Sequence, residues 1–190
     1  MVKKFLQQFA TSDLVIIALL SAGGIATKPF VRALAQIFTG SVIPIGTVAG
    51  IFYMLWIVLA CCIVQKRGTA VLVGIVQSVL VVAFDMLGNR GLANLLVYIV
   101  PGITLELVML LFPRYVSSLF SSFTAGGVAN ATGAVIVGWF FLRLPAIPLF
   151  GSAAVSCLFG GIGGIIAYKL YAIVKGFRSN TAGTDNVNQA

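Results

Sequence analysis

The sequence predicts an all-α integral membrane protein, a six-transmembrane-helix bundle with a long first external loop. Three observations lead there. Of the 190 residues, 60% are hydrophobic and 8% charged, with a mean hydropathy of +1.11; a soluble domain of this size could not bury so much apolar surface. Crossing a hydrocarbon core of about 30 Å takes roughly 20 apolar residues per helix, and the chain offers runs at residues 13–28, 45–65, 69–87, 92–112, 116–142 and 147–174. The basic residues collect at the ends of these runs. With the N-terminus in the cytoplasm, Lys3, Lys4, Lys66, Arg67, Arg114, Lys169, Lys175 and Arg178 fall inside, and Lys28, Arg32, Arg90 and Arg143 outside, the asymmetry expected of a multi-pass plasma-membrane protein with both termini cytoplasmic.

The first run, DLVIIALLSAGGIATK, starts after Thr11-Ser12, and Asp13 there suits the positive end of a helix. Ala18, Ala22 and Ala26 recur at every fourth position, which clears one helical face of bulk instead of filling it. Lys28-Pro29 reads as the end of this helix. Phe30, Leu34 and Phe38 then recur at four-residue spacing until Gly40 and Pro44 interrupt them. That pattern describes a short amphipathic helix within the first loop, either closing over a pocket mouth as a gate or resting on lipid headgroups.

In the second run Tyr53 and Trp56 offer faces on which a flat molecule could stack, as does Tyr98 in the fourth. Gln77 in the third run and Asn130, with Thr132, in the fifth are amides within apolar sequence, where each needs a partner on a neighbouring helix or a ligand. The turn after the third run brings Asp85, Asn89, Arg90 and Asn94 within about ten residues, a set of donors and acceptors that suits either a polar turn or the orientation of a heteroaromatic ring. Glu106 is the only acidic residue well inside an apolar run. Pro101-Gly102, about one turn earlier, loosens the helix beside it, so Glu106 reads as a pocket-wall ligand contact or as a structural carboxyl paired within the bundle.

Two further rows of small residues occur, Ala125, Ala129 and Gly133 in the fifth run and Ser152, Ser156, Gly160 and Gly164 in the sixth. In lipid, helices associate through close backbone approach more than through hiding apolar surface, so these rows are expected to meet each other. Trp139 reads as an interfacial anchor. One membrane domain, residues 1–176, is expected, followed by a disordered cytoplasmic tail over 177–190, where SNTAGTDNVNQA is polar and aperiodic. The MVKKF start is read as part of a retained first helix and not as a signal peptide.

Several function classes are excluded. The sequence has no histidine, hence neither the usual catalytic base nor the commonest transition-metal ligand. Cys61, Cys62 and Cys157 have no metal or redox spacing, and no Walker-type loop is present. No catalytic residue, metal site or cofactor is assigned. The net charge of +8 forms no basic stripe, so nucleic acid is not a partner.

The Ala18-Leu-Leu-Ser-Ala22 pattern extended by Ala26, six spans in 190 residues, a long first loop and cytoplasmic termini together resemble the substrate-binding S component of an energy-coupling factor transporter. The resemblance covers residues 10–175. It implies that the alanine row docks on a transmembrane T component attached to two ATPase subunits, that the first loop gates the site, and that the chain captures a vitamin without an ATPase of its own. The stretch from Lys66 to Glu106, with Gly-Thr-Ala-Val-Leu-Val-Gly-Ile-Val-Gln, Gly-Asn and Pro-Gly-x-x-x-Glu, is most similar to the thiamin or hydroxymethylpyrimidine branch and implies Glu106 as a ligand contact. Cobalamin, another vitamin or a queuosine-like precursor stays open as the substrate. A membrane-embedded lipid-modifying enzyme is the competing class, but acid–base or metal-assisted chemistry asks for clustered His, Asp or Glu, and Glu106 stands alone.

Overall fold

The structure is a computed structural model that describes residues 7–39, 45–84 and 95–187, with all side chains in these ranges except those of residues 32, 35, 36, 38, 39, 45–48 and 178–187. Its described part is helical: α1 (Thr11–Thr39), α2 (Ile45–Val64), α3 (Thr69–Ala83), α4 (Leu96–Met109), α5 (Leu119–Ile136, prolonged by a π-helical turn over Val137–Phe141) and α6 (Ala146–Val187). Three stretches are long and apolar enough to cross a membrane, Thr11–Val31, Leu119–Phe141 and Ala146–Phe177, and three shorter apolar helices accompany them, Ala49–Val64, Thr69–Ala83 and Leu96–Met109. Val15, Leu19, Phe52, Val79, Leu107, Phe120 and Phe150 are exposed on the outside of the bundle, a surface that suits lipid.

The break expected at Lys28-Pro29 is absent. Pro29 lies inside α1, which continues to Thr39. A proline removes one main-chain hydrogen bond and crowds the preceding turn, but the Thr27 hydroxyl bonds the carbonyls of Gly23 at 3.0 Å and Gly24 at 3.1 Å, which supports that turn. Phe30 and Leu34 are therefore exposed side chains of a continuous helix. The Phe38 side chain and the remainder of the connection, residues 40–44, lie outside the described residues. Pro101 is likewise accommodated inside α4, where Thr104 bonds the carbonyls of Val100 and Pro101. α4 ends at Met109, three residues before the 112 expected; Pro113 disfavours a helical Phe112. At the C-terminal end, α6 runs on to Val187, past the point at 177 where a structureless tail is expected. No proline follows Pro148 to stop it, and a formed helix extends at low cost.

α6 packs against α5 and α2, α1 against α2 and α3, and α4 against α3 and α5. α5 and α6 meet in a close seam. On α5 it is made by Ser122, Gly126 and Asn130, one position on from the expected row of Ala125, Ala129 and Gly133, whose Gly133 faces Pro101 of α4 instead. On α6 the expected Ser156, Gly160 and Gly164 take part. A Cβ on Gly126 would collide with the Gly160 carbonyl, and one on Gly164 with the Ser122 carbonyl, while Gly163 meets the Ile51 carbonyl of α2 in the same way. Ala125 and Ala129 are fully buried. α1 behaves differently: Ile17, Ser21, Gly24 and Ile25 face inward, and Ala18, Ala22 and Ala26 lie on its exposed side.

One end of the bundle is tied by polar contacts. Asp13 accepts the Ala10 backbone N–H at 2.9 Å and pairs with Lys66 at 2.6 Å. Gln65 donates to the Val116 carbonyl at 2.6 Å, and Arg67 to that of Phe112 at 3.3 Å, so the α2–α3 turn grips the α4–α5 connection. Ser118 caps α5, its hydroxyl accepting from the Ser121 N–H at 3.1 Å while Ser121 returns the bond to the Ser118 N–H at 3.0 Å.

Candidate functional site

Glu106 lies at the tied end. A Cβ on Gly102 would come within 2.5 Å of the Ala70 carbonyl, so α4 crosses the start of α3 closely, and one turn later the Glu106 carboxylate reaches it. Its Oε1 accepts the Ala70 backbone N–H at 3.0 Å and the Tyr115 hydroxyl at 2.5 Å. The Cys61 sulfur is 3.3 Å from that hydroxyl. Burial pushes the Tyr115 phenol well above its ordinary range, and the neighbouring Cys61 and Glu106 add to this, so it remains a donor at physiological pH. α3 has no side-chain cap of its own, Gly68 preceding it; the carboxylate from α4 serves that helix N-terminus instead. A cleft of about 290 Å³ beside Phe112 and Arg114 opens nearby, but the serines that line it, Ser118 and Ser121, are engaged in the α5 cap.

A second group forms toward the other end of α3. Gln77 stands two turns beyond Ala70, about 10 Å along the axis. Its amide nitrogen lies against Gly24 of α1, where an added Cβ would come within 2.8 Å, and the Trp56 side chain of α2 lies over both Gly23 and Gly24. One turn on from Gly24, the Lys28 ammonium sits 3.7 Å from the centroid of the Tyr98 ring on α4 and 5.2 Å from that of Tyr53 on α2. Glycines at 23 and 24 let these larger groups approach the α1 backbone. Two polar side chains here make no hydrogen bond within the described residues: Gln77, 8% exposed, and Ser21, fully buried. A fully buried hydroxyl without a partner, as at Ser21, is unusual and costs free energy.

Four of the residues singled out in the sequence, Tyr53, Trp56, Gln77 and Tyr98, thus come together from three helices around α1. Asn130 does not join them. It is buried in the α5–α6 seam between Gly50 and Gly160 and donates to the Ser156 carbonyl at 2.8 Å. Asp85, Asn89 and Asn94 lie outside the described residues. Sequence reasoning took Lys28 only as a topology signal. Its register was the available clue, because seven residues from Ser21 places it on the inward face of α1, away from the alanine row. Tyr115 gave no such signal; it lies in an aperiodic connection. Among the described residues, no three His, Cys, Asp or Glu side chains are grouped as a metal site.

No curated protein and no solved structure matches the chain. Residues 12–132, more than half of the sequence, match the family described as "ABC-type cobalt transport system, permease component". The matched segment runs from the start of α1 to within α5, so it includes the Lys28 group, the Glu106 cap and the alanine row. Together with three helices able to cross a bilayer, it makes this the membrane component of an ABC-type transport system, which implies partner ATPase subunits. The chain belongs to the family of ABC-type cobalt transport system permease components.

Proposed function

We propose that this chain is a substrate-capturing S component of energy-coupling factor type, which binds a vitamin or vitamin precursor in the membrane while a T component and two ATPases drive its release. The observation that carries the reading is the convergence of Tyr53, Trp56 and Tyr98, three aromatic side chains, around α1 with the Gln77 amide, which makes no hydrogen bond among the described residues. Aromatic faces hold a flat ring, and an amide offers one acceptor and two donors to its polar edge. A ring of the thiamin or hydroxymethylpyrimidine kind fits that chemistry. In this reading all six helices span the membrane with both termini cytoplasmic, Phe30, Leu34 and Phe38 serve as the gate, and Asp85, Asn89 and Asn94 are assigned to substrate binding. Glu106 is assigned to holding the start of α3, since its carboxylate is already engaged by Ala70 and Tyr115.

The exposed alanine row of α1 supports T-component docking. Ala18, Ala22 and Ala26 are exposed, whereas the small rows of α5 and α6 are spent inside the bundle. A cleared face left outside suits close approach by another protein's helices.

The family description favours a second reading, in which the cargo contains cobalt. A bare cobalt ion would draw on imidazole, thiolate or carboxylate donors, and the chain has no histidine and no such donor group among the described residues. A cobalt-containing organic cofactor such as cobalamin would suit the aromatic site better than the free ion. Calorimetric titration of the purified protein with hydroxymethylpyrimidine, thiamin, cobalamin and Co²⁺ separates the readings. Tight binding of a pyrimidine supports the first, and binding of cobalamin or Co²⁺ alone would replace it with the second.

A further inference from the structure

Independently of the substrate reading, we infer that the cleft at the tied end of the bundle holds the phosphate headgroup of an anionic phospholipid, gripped by Arg114 and Ser117 while its acyl chains run along α4 and α5. The cleft, about 290 Å³, is lined by Phe112 and Arg114 of the α4–α5 connection and by Ser117 just before α5. Arg114 is exposed, and among the described residues its guanidinium enters no hydrogen bond or ion pair. The Ser117 backbone N–H donates to the Ser121 hydroxyl at 3.1 Å, whereas the Ser117 hydroxyl is uncommitted among the same residues. A guanidinium and a hydroxyl facing one cleft offer donors without an acceptor, and a phosphate group supplies acceptors in that geometry.

The charge around the cleft has one sign. Arg67 donates to the Phe112 carbonyl at 3.3 Å, which brings a second guanidinium to the same connection, and the positive end of α5 adds to the field. The carboxylates described at this end are already engaged, Asp13 by Lys66 and Glu106 by Ala70 and Tyr115. Beside the cleft the surface turns apolar: Leu107, Leu111, Leu119 and Phe120 are exposed, and the Phe120 ring packs 5.9 Å from that of Phe112, a wall of the cleft. A basic cleft next to an exposed apolar strip matches the order of a phospholipid, phosphate first and acyl chain after it. A free phosphate would use the cleft and leave the strip uncovered. In the orientation that the basic residues predict, this end also meets the cytoplasmic leaflet, whose surface is negative.

Native mass spectrometry tests this on the full chain released from nanodiscs of equal phosphatidylglycerol and phosphatidylcholine with matched acyl chains. Retained phosphatidylglycerol is expected to exceed phosphatidylcholine by about fivefold or more. Arg114→Gln should bring the two near parity. Arg143→Gln, which removes a charge from the α5–α6 connection, should keep the preference. Ser117→Leu leaves the guanidinium in place but fills the cleft, and it should lower the preference as well. Equal retention of both lipids by the unaltered protein, or an unchanged ratio in Arg114→Gln, would overturn the inference. Glycerol 3-phosphate binding as tightly as phosphatidylglycerol would assign the cleft to a free phosphate, and loss of co-purifying ATPases from Arg114→Gln at an unchanged lipid ratio would assign it to a partner subunit; either result overturns the lipid site. Should Arg114→Gln fail to fold, parity in the unaltered protein or an unchanged ratio in Ser117→Leu would do the same.

Discussion

Glu106 Oε1 accepts the backbone N–H of Ala70 at 3.0 Å, so a residue near the end of α4 caps the beginning of α3 from 36 positions away. The same oxygen holds the Tyr115 hydroxyl, which joins the α4–α5 connection to the pair. Glu106→Gln keeps an acceptor but removes the charge that favours a helix N-terminus, and it should lower stability by about 0.5–1 kcal/mol. Glu106→Ala leaves both donors unpaired and should cost about 2–4 kcal/mol. Thermal unfolding in detergent measures both. Loss of pyrimidine binding in Glu106→Gln with an unchanged melting temperature would instead place this carboxylate on the substrate.

The α5–α6 seam depends on the absence of side chains. Gly126→Ala and Gly164→Ala would each drive a methyl group into a backbone carbonyl of the other helix, which cannot yield as a side chain can, and each should destabilise the protein by about 1–3 kcal/mol or more. Gly151→Ala, with nothing within 4 Å of its added Cβ, is the control and should be neutral or stabilising by up to about 1 kcal/mol. Equal melting temperatures for all three variants would show that the two backbones are not in close contact along the seam.

Much of this architecture was legible in the sequence because membrane helices leave long apolar runs, and the starts at Ile45 and Thr69 fall where those runs begin. The small row of α6 announced its contact through spacing alone, but the α5 face it meets is that of Ser122, Gly126 and Asn130 and not the row at Ala125, Ala129 and Gly133. What failed was punctuation. Pro29 read as a terminator because composition does not disclose that Thr27 can support the turn before it. In the site, Tyr53, Trp56, Gln77 and Tyr98 were recognisable as stacking and hydrogen-bonding side chains adrift in apolar sequence. Their meeting point was not, since it depends on which face of α1 each neighbouring helix touches. Glu106 illustrates the same limit: its isolation was evident, but its partner is a backbone N–H, and sequence carries no sign of which N–H groups lack one.

If the alanine row is the T-component surface, bulk added to it should break assembly and spare the rest. Ala22 is exposed in this chain, so Ala22→Leu meets only lipid in the isolated protein, and its melting temperature and pyrimidine affinity should change little, the affinity by less than about threefold. Recovery of the T component and ATPases with a tagged copy should fall sharply. Full recovery with normal uptake would remove this face from the interface.

Gln77 should trade stability for binding. Its side chain is 8% exposed and makes no hydrogen bond within the described residues, so the ligand-free protein carries part of the cost of desolvating an amide, up to about 1 kcal/mol. Gln77→Leu removes that cost at similar volume and should raise the melting temperature of the empty protein. The same change deletes the group assigned to the polar edge of the ring, and pyrimidine affinity should fall by about tenfold or more. Ser21→Ala, which removes a fully buried hydroxyl that has no partner, should also stabilise the empty protein. If Gln77→Leu instead melts lower and binds normally, the amide is satisfied within the bundle, and recognition must rest on the aromatic rings.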